Sequence, residues 1–204
     1  MKNVFSNVLT LVVLWLAMLI IAPASYAESL VSGPIGYTKY CSTHFQLPEC
    51  GNVNNIVDST QAFHTTSWLS QINQHVNEKM AYQNDVITYG KDDVWANPVN
   101  NVGDCEDYAL KKMHILYSSG WKTSELRIAL VNIYGNGTKS YSTYSNQDSR
   151  QASHAVLLAT LNGVDYVLDS KQDYLLSVDD YKEGFGVQFL LVQTGNGKWT
   201  TWTN

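Results

Sequence analysis

The segment HAVLLATLNGVDYVLDS, at residues 154–170, constrains the fold of this 204-residue chain more than any other stretch. Two apolar, strand-like runs flank an Asn-Gly pair, the preferred sequence for a two-residue turn between antiparallel strands. If Leu161 faces Val164, the side chains of His154 and Asp169 lie on the same face as diagonal neighbours. Diagonal neighbours are about 7 to 8 Å apart, so we predict a hydrogen bond between His154 and Asp169.

The residues before this hairpin follow a helical pattern instead. Apolar side chains recur at spacings of three and four over residues 68–80, which predicts an amphipathic helix that ends near Asn84. A second helix is predicted to begin at Cys105 and to end at a Ser-Ser-Gly sequence. Further strand-like runs lie at residues 127–134 and 187–193. Helices followed by strands predict an α+β domain with an antiparallel sheet.

Residues 1–27 have the layout of a secretory signal peptide, with an early Lys2, an apolar run and small residues before a cleavage point after Ala27. The alternative is an uncleaved membrane anchor, although the apolar run is shorter than the ~18 to 20 residues that span a bilayer. Gly and Pro punctuate residues 28–58, where we predict an irregular N-terminal arm. Residues 59–204 are predicted to form a single domain.

The chain is acidic, with 13 Lys and Arg against 18 Asp and Glu. Cleavage after Ala27 would remove one further positive charge. An acidic surface argues against nucleic acid or an anionic membrane as the main partner.

The three cysteines are an odd number for an exported protein. Cys41 and Cys50 lie nine residues apart and are candidates for a disulfide, which would leave Cys105 as the free thiol. A pairing that involves Cys105 remains the alternative. The spacing of cysteines and histidines does not match a zinc site.

Cys105 is a candidate nucleophile because the predicted helix begins at this residue. Unpaired backbone N–H groups and the helix dipole favour a thiolate at such a position. His154 would act as the base and Asp169 would orient it. The alternatives are an inert buried cysteine and a histidine and aspartate that only flank core strands. A hydrogen-bond donor for the oxyanion is also required, and the backbone N–H of Cys105 is the first candidate. The indole N–H of Trp95 is a second candidate, although a tryptophan at this position is more typical of a core residue.

Three acids surround the candidate nucleophile, namely Asp104, Glu106 and Asp107. Their charges oppose thiolate formation, so a neutralising cation is expected. Ca²⁺ prefers such oxygen ligands, and Asn100 and Asn101 are able to add more. The alternative is that these acids only favour the start of the helix.

Three segments resemble the bacterial transglutaminase-like cysteine proteinases of the LapG periplasmic type: WANPVNNVGDCEDYA (95–109), SHAVLLA (153–159) and YVLDS (166–170). The resemblance implies a papain-like or transglutaminase-like fold in which the nucleophile heads a helix packed on an antiparallel sheet. It implies the roles given above for Cys105, His154 and Asp169. It also implies calcium dependence, with ligands from the acids around Cys105.

The same resemblance implies a periplasmic enzyme that cleaves the N-terminal region of a large surface adhesin at a paired-alanine site and so releases cells from a biofilm. It further implies control by an inner-membrane cyclic-di-GMP receptor of LapD type, which would be the only link to the membrane. Two alternatives remain open. One is a transglutaminase or amidase with the same three residues, and the other is a non-enzymatic calcium-binding module.

Overall fold

The computed structural model describes residues 29–52, 63–98, 100–133 and 154–203, so the predicted signal peptide lies outside the described residues. The helices are α1 Ile35–Thr43, α2 Thr66–Lys79, α3 Asp85–Tyr89, α4 Cys105–Ser118 and α5 Val178–Phe185. The strands are β1 Leu30–Val31, β2 Ala81–Tyr82, β3 Val102–Gly103, β4 Leu126–Ile133, β5 His154–Leu161, β6 Val164–Asp169, β7 Gln172–Ser177, β8 Val187–Gln193 and β9 Trp199–Thr201. No helix in the described ranges is long and apolar enough to cross a membrane.

Seven strands form one antiparallel sheet in the order β1-β9-β8-β4-β5-β6-β7. The predicted hairpin register is confirmed, because Leu161 pairs with Val164. At the turn, Asn162 and Gly163 both have positive φ, as a type I′ turn requires. The α+β architecture predicted from the sequence is therefore confirmed.

Helices cover both faces of the sheet. The larger core lies between the sheet and the helices α2 and α4, where Leu69, Leu110, Met113 and Leu157 are fully buried. A smaller core on the other face contains Tyr181 of α5. Helix α4 packs against β5, and a backbone hydrogen bond from Ala155 to Cys105 places the N-terminal end of α4 beside the beginning of β5.

Helix α2 is shorter than predicted. It begins after Thr65, whose side chain accepts a hydrogen bond from the backbone of Trp68. It ends at Lys79 rather than near Asn84, because the N–H of Ala81 donates to the carbonyl of Asn101 at 2.8 Å and starts a strand. Tertiary pairing with β3 therefore ends the helix, and the local sequence does not show this.

The prediction of an irregular arm at residues 28–58 is wrong in part. Residues 30–31 pair with β9 at the edge of the sheet, and α1 is a nine-residue helix. The buried side chains of α1 are Tyr37 and Tyr40, which are too few to produce a clear amphipathic pattern. The disulfide between Cys41 and Cys50 is confirmed, and it ties the end of α1 to the following turn.

Candidate active site

Cys105 is the first residue of α4 and the free cysteine of the chain. Its side chain is almost completely buried, with 5% of the residue exposed. The backbone N–H of Ala155 hydrogen-bonds to the thiol. Because Ala155 follows His154 directly on β5, this contact places the thiol beside the beginning of that strand.

His154 and Asp169 form the hydrogen bond that the hairpin register predicts. The distance from Nε2 of His154 to Oδ1 of Asp169 is 2.5 Å, and both residues are buried. A carboxylate only accepts hydrogen bonds, so Nε2 carries the proton of the neutral ring. Nδ1 is buried without a hydrogen-bond partner, and its lone pair is therefore available to accept a proton.

The carboxylate of Asp169 is fully satisfied. Oδ1 also accepts from the backbone N–H of Lys171 at 3.0 Å, and Oδ2 accepts from the hydroxyl of Tyr181 at 2.8 Å. Burial alone would raise the pKa of Asp169, but the charge of His154 and these hydrogen bonds outweigh burial and lower the pKa to about 2. Asp169 is therefore an anion at neutral pH. The contribution of Tyr181 has no sequence signal, because α5 comes from the opposite face of the sheet.

Side chains of α2 and α4 hold the turn that carries Asp169. The side-chain amide of Asn77 donates to the carbonyl of Asp169 at 3.0 Å, and that of Asn73 donates to the carbonyl of Gln172 at 2.6 Å. The side-chain oxygen of Asn73 in turn accepts from Nζ of the fully buried Lys112 at 2.7 Å. The helix that begins with Cys105 is thus linked through α2 to the turn at Asp169.

The other side of the thiol is acidic. The Cys105 thiol donates to Oε2 of Glu106 at 3.2 Å. Burial, followed by the charges of Glu106 and Asp104, raises the pKa of Cys105 well above its usual range. Burial and the Asp104 charge also raise the pKa of Glu106. Without a cation, these neighbours oppose the thiolate that nucleophilic attack requires.

Asp85, Asp104 and Asp107 form a buried carboxylate cluster, in which ligand oxygens lie within 4.8 Å of one another. Each of the three keeps one buried oxygen without a hydrogen-bond partner. Burial is the largest cause that raises the pKa of Asp85 to about 6 and that of Asp107 to about 8. Gly103 permits the close approach, because a Cβ there would lie 2.4 Å from Oδ2 of Asp107.

This cluster fits a calcium ion, because Ca²⁺ takes several carboxylate oxygens and offsets their mutual repulsion. The structure places Asp104 and Asp107 in the cluster, whereas Glu106 groups with Asp104 and Cys105. Asp85 was not among the ligands predicted from the sequence, because it is 19 positions before Asp104 and reaches it only through the fold. Asn100 and Asn101 are exposed.

Trp95 is a core residue and not a free donor. It is 4% exposed, and its indole N–H donates to Oδ1 of Asp93 at 2.9 Å. Among the candidates from the sequence, the backbone N–H of Cys105 therefore remains as the donor for an oxyanion.

A cysteine at a helix N-terminus beside a histidine and an aspartate of an antiparallel sheet defines the class of papain-like and transglutaminase-like cysteine hydrolases. The family model described as "Bacterial transglutaminase-like cysteine proteinase BTLCP" matches residues 27–203. The chain belongs to this family of cysteine proteinases.

Structures of LapG from Legionella pneumophila are similar to this chain. The EGTA-treated form has 22% identity and a TM-score of 0.50, and the match covers 84% of this chain and 89% of that one. The calcium-bound form has 25% identity and a TM-score of 0.49, with coverage of 67% and 68%. A further LapG structure has 22% identity and a TM-score of 0.48, with coverage of 83% and 90%. The EGTA-treated form supports the fold. No curated protein matches the chain.

Proposed function

We propose that this protein is a calcium-dependent periplasmic cysteine endopeptidase with Cys105 as nucleophile, His154 as base and Asp169 as the residue that orients the base. The observation that carries the proposal is the position of the free thiol at the start of α4, beside the buried pair of His154 and Asp169. A cysteine that served packing alone would not require an ionised, fully hydrogen-bonded carboxylate behind the adjacent histidine.

The reaction is an acyl transfer to water. Nδ1 of His154 takes the thiol proton while the sulfur attacks the peptide carbonyl carbon, and a C–S bond forms. The C–N bond then breaks, and the proton moves from His154 to the departing amine. A water molecule, deprotonated by His154, attacks the thioester, and Cys105 leaves as the thiolate. Throughout, Asp169 holds the imidazole in one tautomer and stabilises its protonated form.

The oxyanion of each tetrahedral intermediate needs a hydrogen-bond donor. The N-terminal amides of α4 have no partner within the helix. The N–H of Cys105 is the nearest of them to the reacting carbon and would hold the oxyanion.

Calcium would be held by Asp104 and Asp107, together with Asp85, and Glu106 lies next to this set. A bound calcium ion supplies positive charge, which offsets these carboxylates and so favours ionisation of the adjacent thiol. This explains why an acidic surrounding, unfavourable in itself, is compatible with catalysis at Cys105.

The proposed substrate is the N-terminal region of a large cell-surface adhesin, cut at a paired-alanine site, so that cleavage promotes release from a biofilm. The proposed control is sequestration by a cyclic-di-GMP-sensing inner-membrane receptor of LapD type. Membership of the proteinase family, the segments quoted above and the predicted signal peptide support this proposal.

The test is cleavage of a purified adhesin N-terminal fragment by the mature protein, with either Ca²⁺ or EGTA present. We expect cleavage in Ca²⁺, none in EGTA, and none by Cys105→Ala. A parallel reaction contains a glutamine peptide and a labelled amine. Incorporation of the amine without cleavage of the fragment would replace the protease by a transglutaminase. Neither cleavage nor amine incorporation by the wild type, with Ca²⁺ binding that is the same in Cys105→Ala, would point instead to a non-enzymatic calcium-binding module.

A further inference from the structure

The short strand β2 has one edge that pairs with β3 and one edge that does not. The N–H of Ala81 donates to the carbonyl of Asn101 at 2.8 Å, and the N–H of Gln83 donates to the carbonyl of Gly103 at 3.0 Å. A parallel ladder uses the peptide groups of alternate residues, so the N–H and C=O of Tyr82 point away from β3. Within the described part of the chain, β2 has no other partner strand.

This open edge lies beside the nucleophile. Tyr82 pairs with Gly103, and Gly103 is two positions before Cys105. Burial raises the pKa of Tyr82 to about 12, and among charges that of Cys105 has the largest effect on it. The residue is nevertheless 56% exposed, so Tyr82 is accessible from solvent next to the thiol.

We propose that an extended stretch of the protein substrate adds to β2 as an extra strand, with its backbone hydrogen-bonded to the N–H and C=O of Tyr82. In strand addition, main-chain hydrogen bonds supply the affinity, and contacts between side chains and the neighbouring surface supply the specificity. The inference rests on the proposed function, because it names how a substrate of that site is held. It makes Tyr82 a substrate-binding residue of the cleft.

The surroundings of β2 indicate which stretch would fit. Helix α3 follows the strand directly and exposes Val86 and Ile87, with 55% and 72% of each residue accessible. Such a surface favours an extended, unfolded segment with small or apolar side chains. A folded loop would not present a free backbone edge to β2.

The test uses peptide reagents that alkylate Cys105, so it does not depend on hydrolysis. Acetyl-Ala-Ala-Ala vinyl sulfone reacts when the thiolate adds to the vinyl carbon β to the sulfone, the π bond of the vinyl group breaks, and the carbon next to the sulfone takes a proton. The second-order rate is measured by mass spectrometry in Ca²⁺ for this parent and for derivatives that each carry one N-methyl amide. Methyl vinyl sulfone, which has no peptide part, reports the reactivity of the thiol alone.

We expect the parent to react faster than methyl vinyl sulfone, and one N-methyl position to slow it roughly 3- to 10-fold, the effect of one lost hydrogen bond. The adjacent position should have little effect, because alternate amides face the strand. A parent no faster than methyl vinyl sulfone, or equal rates at every N-methyl position, would overturn the proposal. Rapid, position-dependent labelling without cleavage of any adhesin fragment would instead count against the proposed function alone.

Variants of Tyr82 distinguish the contribution of its backbone N–H from that of its side chain. Tyr82→Pro removes the outward N–H without altering the peptide groups that pair with β3, so the peptide reagent should slow while methyl vinyl sulfone does not. Tyr82→Ala keeps the N–H and should retain the dependence on N-methyl position. Tyr174→Ala, at an exposed tyrosine of β7, is the control and should change neither rate. Loss of position dependence in Tyr82→Ala would overturn the backbone assignment.

Discussion

Asp104 and Asp169 are both buried aspartates near the same thiol, yet their surroundings have opposite effects. Asp169 is 2% exposed, accepts hydrogen bonds on both oxygens, and has a pKa of about 2. Asp104 is 1% exposed, keeps one oxygen without a partner, and has a raised pKa, mainly because of burial. Burial raises the pKa of a carboxyl unless cations or donors compensate it. The protein supplies that compensation for Asp169, whereas the proposed calcium ion would supply it for Asp104.

The difference separates two tasks within one site. The pair of His154 and Asp169 is complete without a ligand, so the orientation of the base is built into the fold. The acidic side is incomplete, because Asp85, Asp104 and Asp107 each retain an unpartnered buried oxygen. Regulation by calcium would therefore act on the charge around Cys105 and not on the geometry of the base.

The largest expected effect comes from removing the charge of Asp169. Asp169→Asn should lower kcat roughly 10²- to 10⁴-fold, because the amide neither stabilises a protonated His154 nor fixes its tautomer. Cleavage kinetics of the adhesin fragment measure this. Calcium affinity should be unchanged, and Asp179→Asn, at an exposed residue of α5, is the control. An Asp169→Asn enzyme within tenfold of the wild type would contradict the assigned role.

Removing one carboxylate from the acidic cluster should reduce calcium affinity more than it changes the catalytic step. Asp104→Asn is expected to weaken Ca²⁺ binding by roughly 100-fold or more, measured by isothermal titration calorimetry. Asp85→Asn should behave similarly, although sequence analysis did not identify this residue. Asp92→Asn, at an exposed acid nearby, provides the control. Unchanged binding in both cluster variants would show that the acids do not hold the ion.

The effect of Asp85 and Asp107 on stability should depend on pH differently from the effect of Asp169. The raised pKa values of Asp85 and Asp107, about 6 and 8, lie above the ~3.9 of an unfolded aspartate. In that range the folded protein binds more protons than the unfolded one, so without calcium its stability should fall as pH rises from about 4 to 8. Asp169, with its lowered pKa, loses its stabilising effect only as pH falls towards 2.

Thermal unfolding in EGTA should therefore show a lower Tm at pH 8 than at pH 5, by at least about 2 to 4 °C, the shift that 1 kcal/mol gives in a chain of this size. Saturating Ca²⁺ should remove most of this dependence of Tm on pH. A Tm in EGTA that rises over the same interval would contradict the raised pKa values.

The smallest expected effect is at Tyr181. Tyr181→Phe removes the hydrogen bond to Oδ2 of Asp169 and should lower kcat roughly 3- to 10-fold, the effect of about 1 kcal/mol. The pKa of Asp169 should rise, because this hydrogen bond is one of the causes that lower it, so activity should be lost at a higher pH on the acid side of a kcat/KM profile. Calcium affinity should not change. A rate loss with an unaltered pH profile would indicate a packing role for Tyr181.

The local sequence was sufficient for some elements and not for others. The boundaries of β5, β6 and β8 match the predicted runs, because short apolar runs and an Asn-Gly turn are local signals. Strands β1, β2, β3, β7 and β9 and helices α1, α3 and α5 were not predicted. Their boundaries depend on partners far along the chain, such as the pairing of Leu30 with Thr200.

The sequence by itself determined the hairpin register, the α+β class, the helix that begins at Cys105 and the shared face of His154 and Asp169. These follow from side-chain alternation, turn preference and helix periodicity, which act over a few residues. Only the tertiary structure brought Asp85 to Asp104, Tyr181 to Asp169 and the open edge of Tyr82 beside the thiol. Those approaches are set by how helices pack on the sheet, and no local pattern encodes the distance between side chains that are remote in sequence.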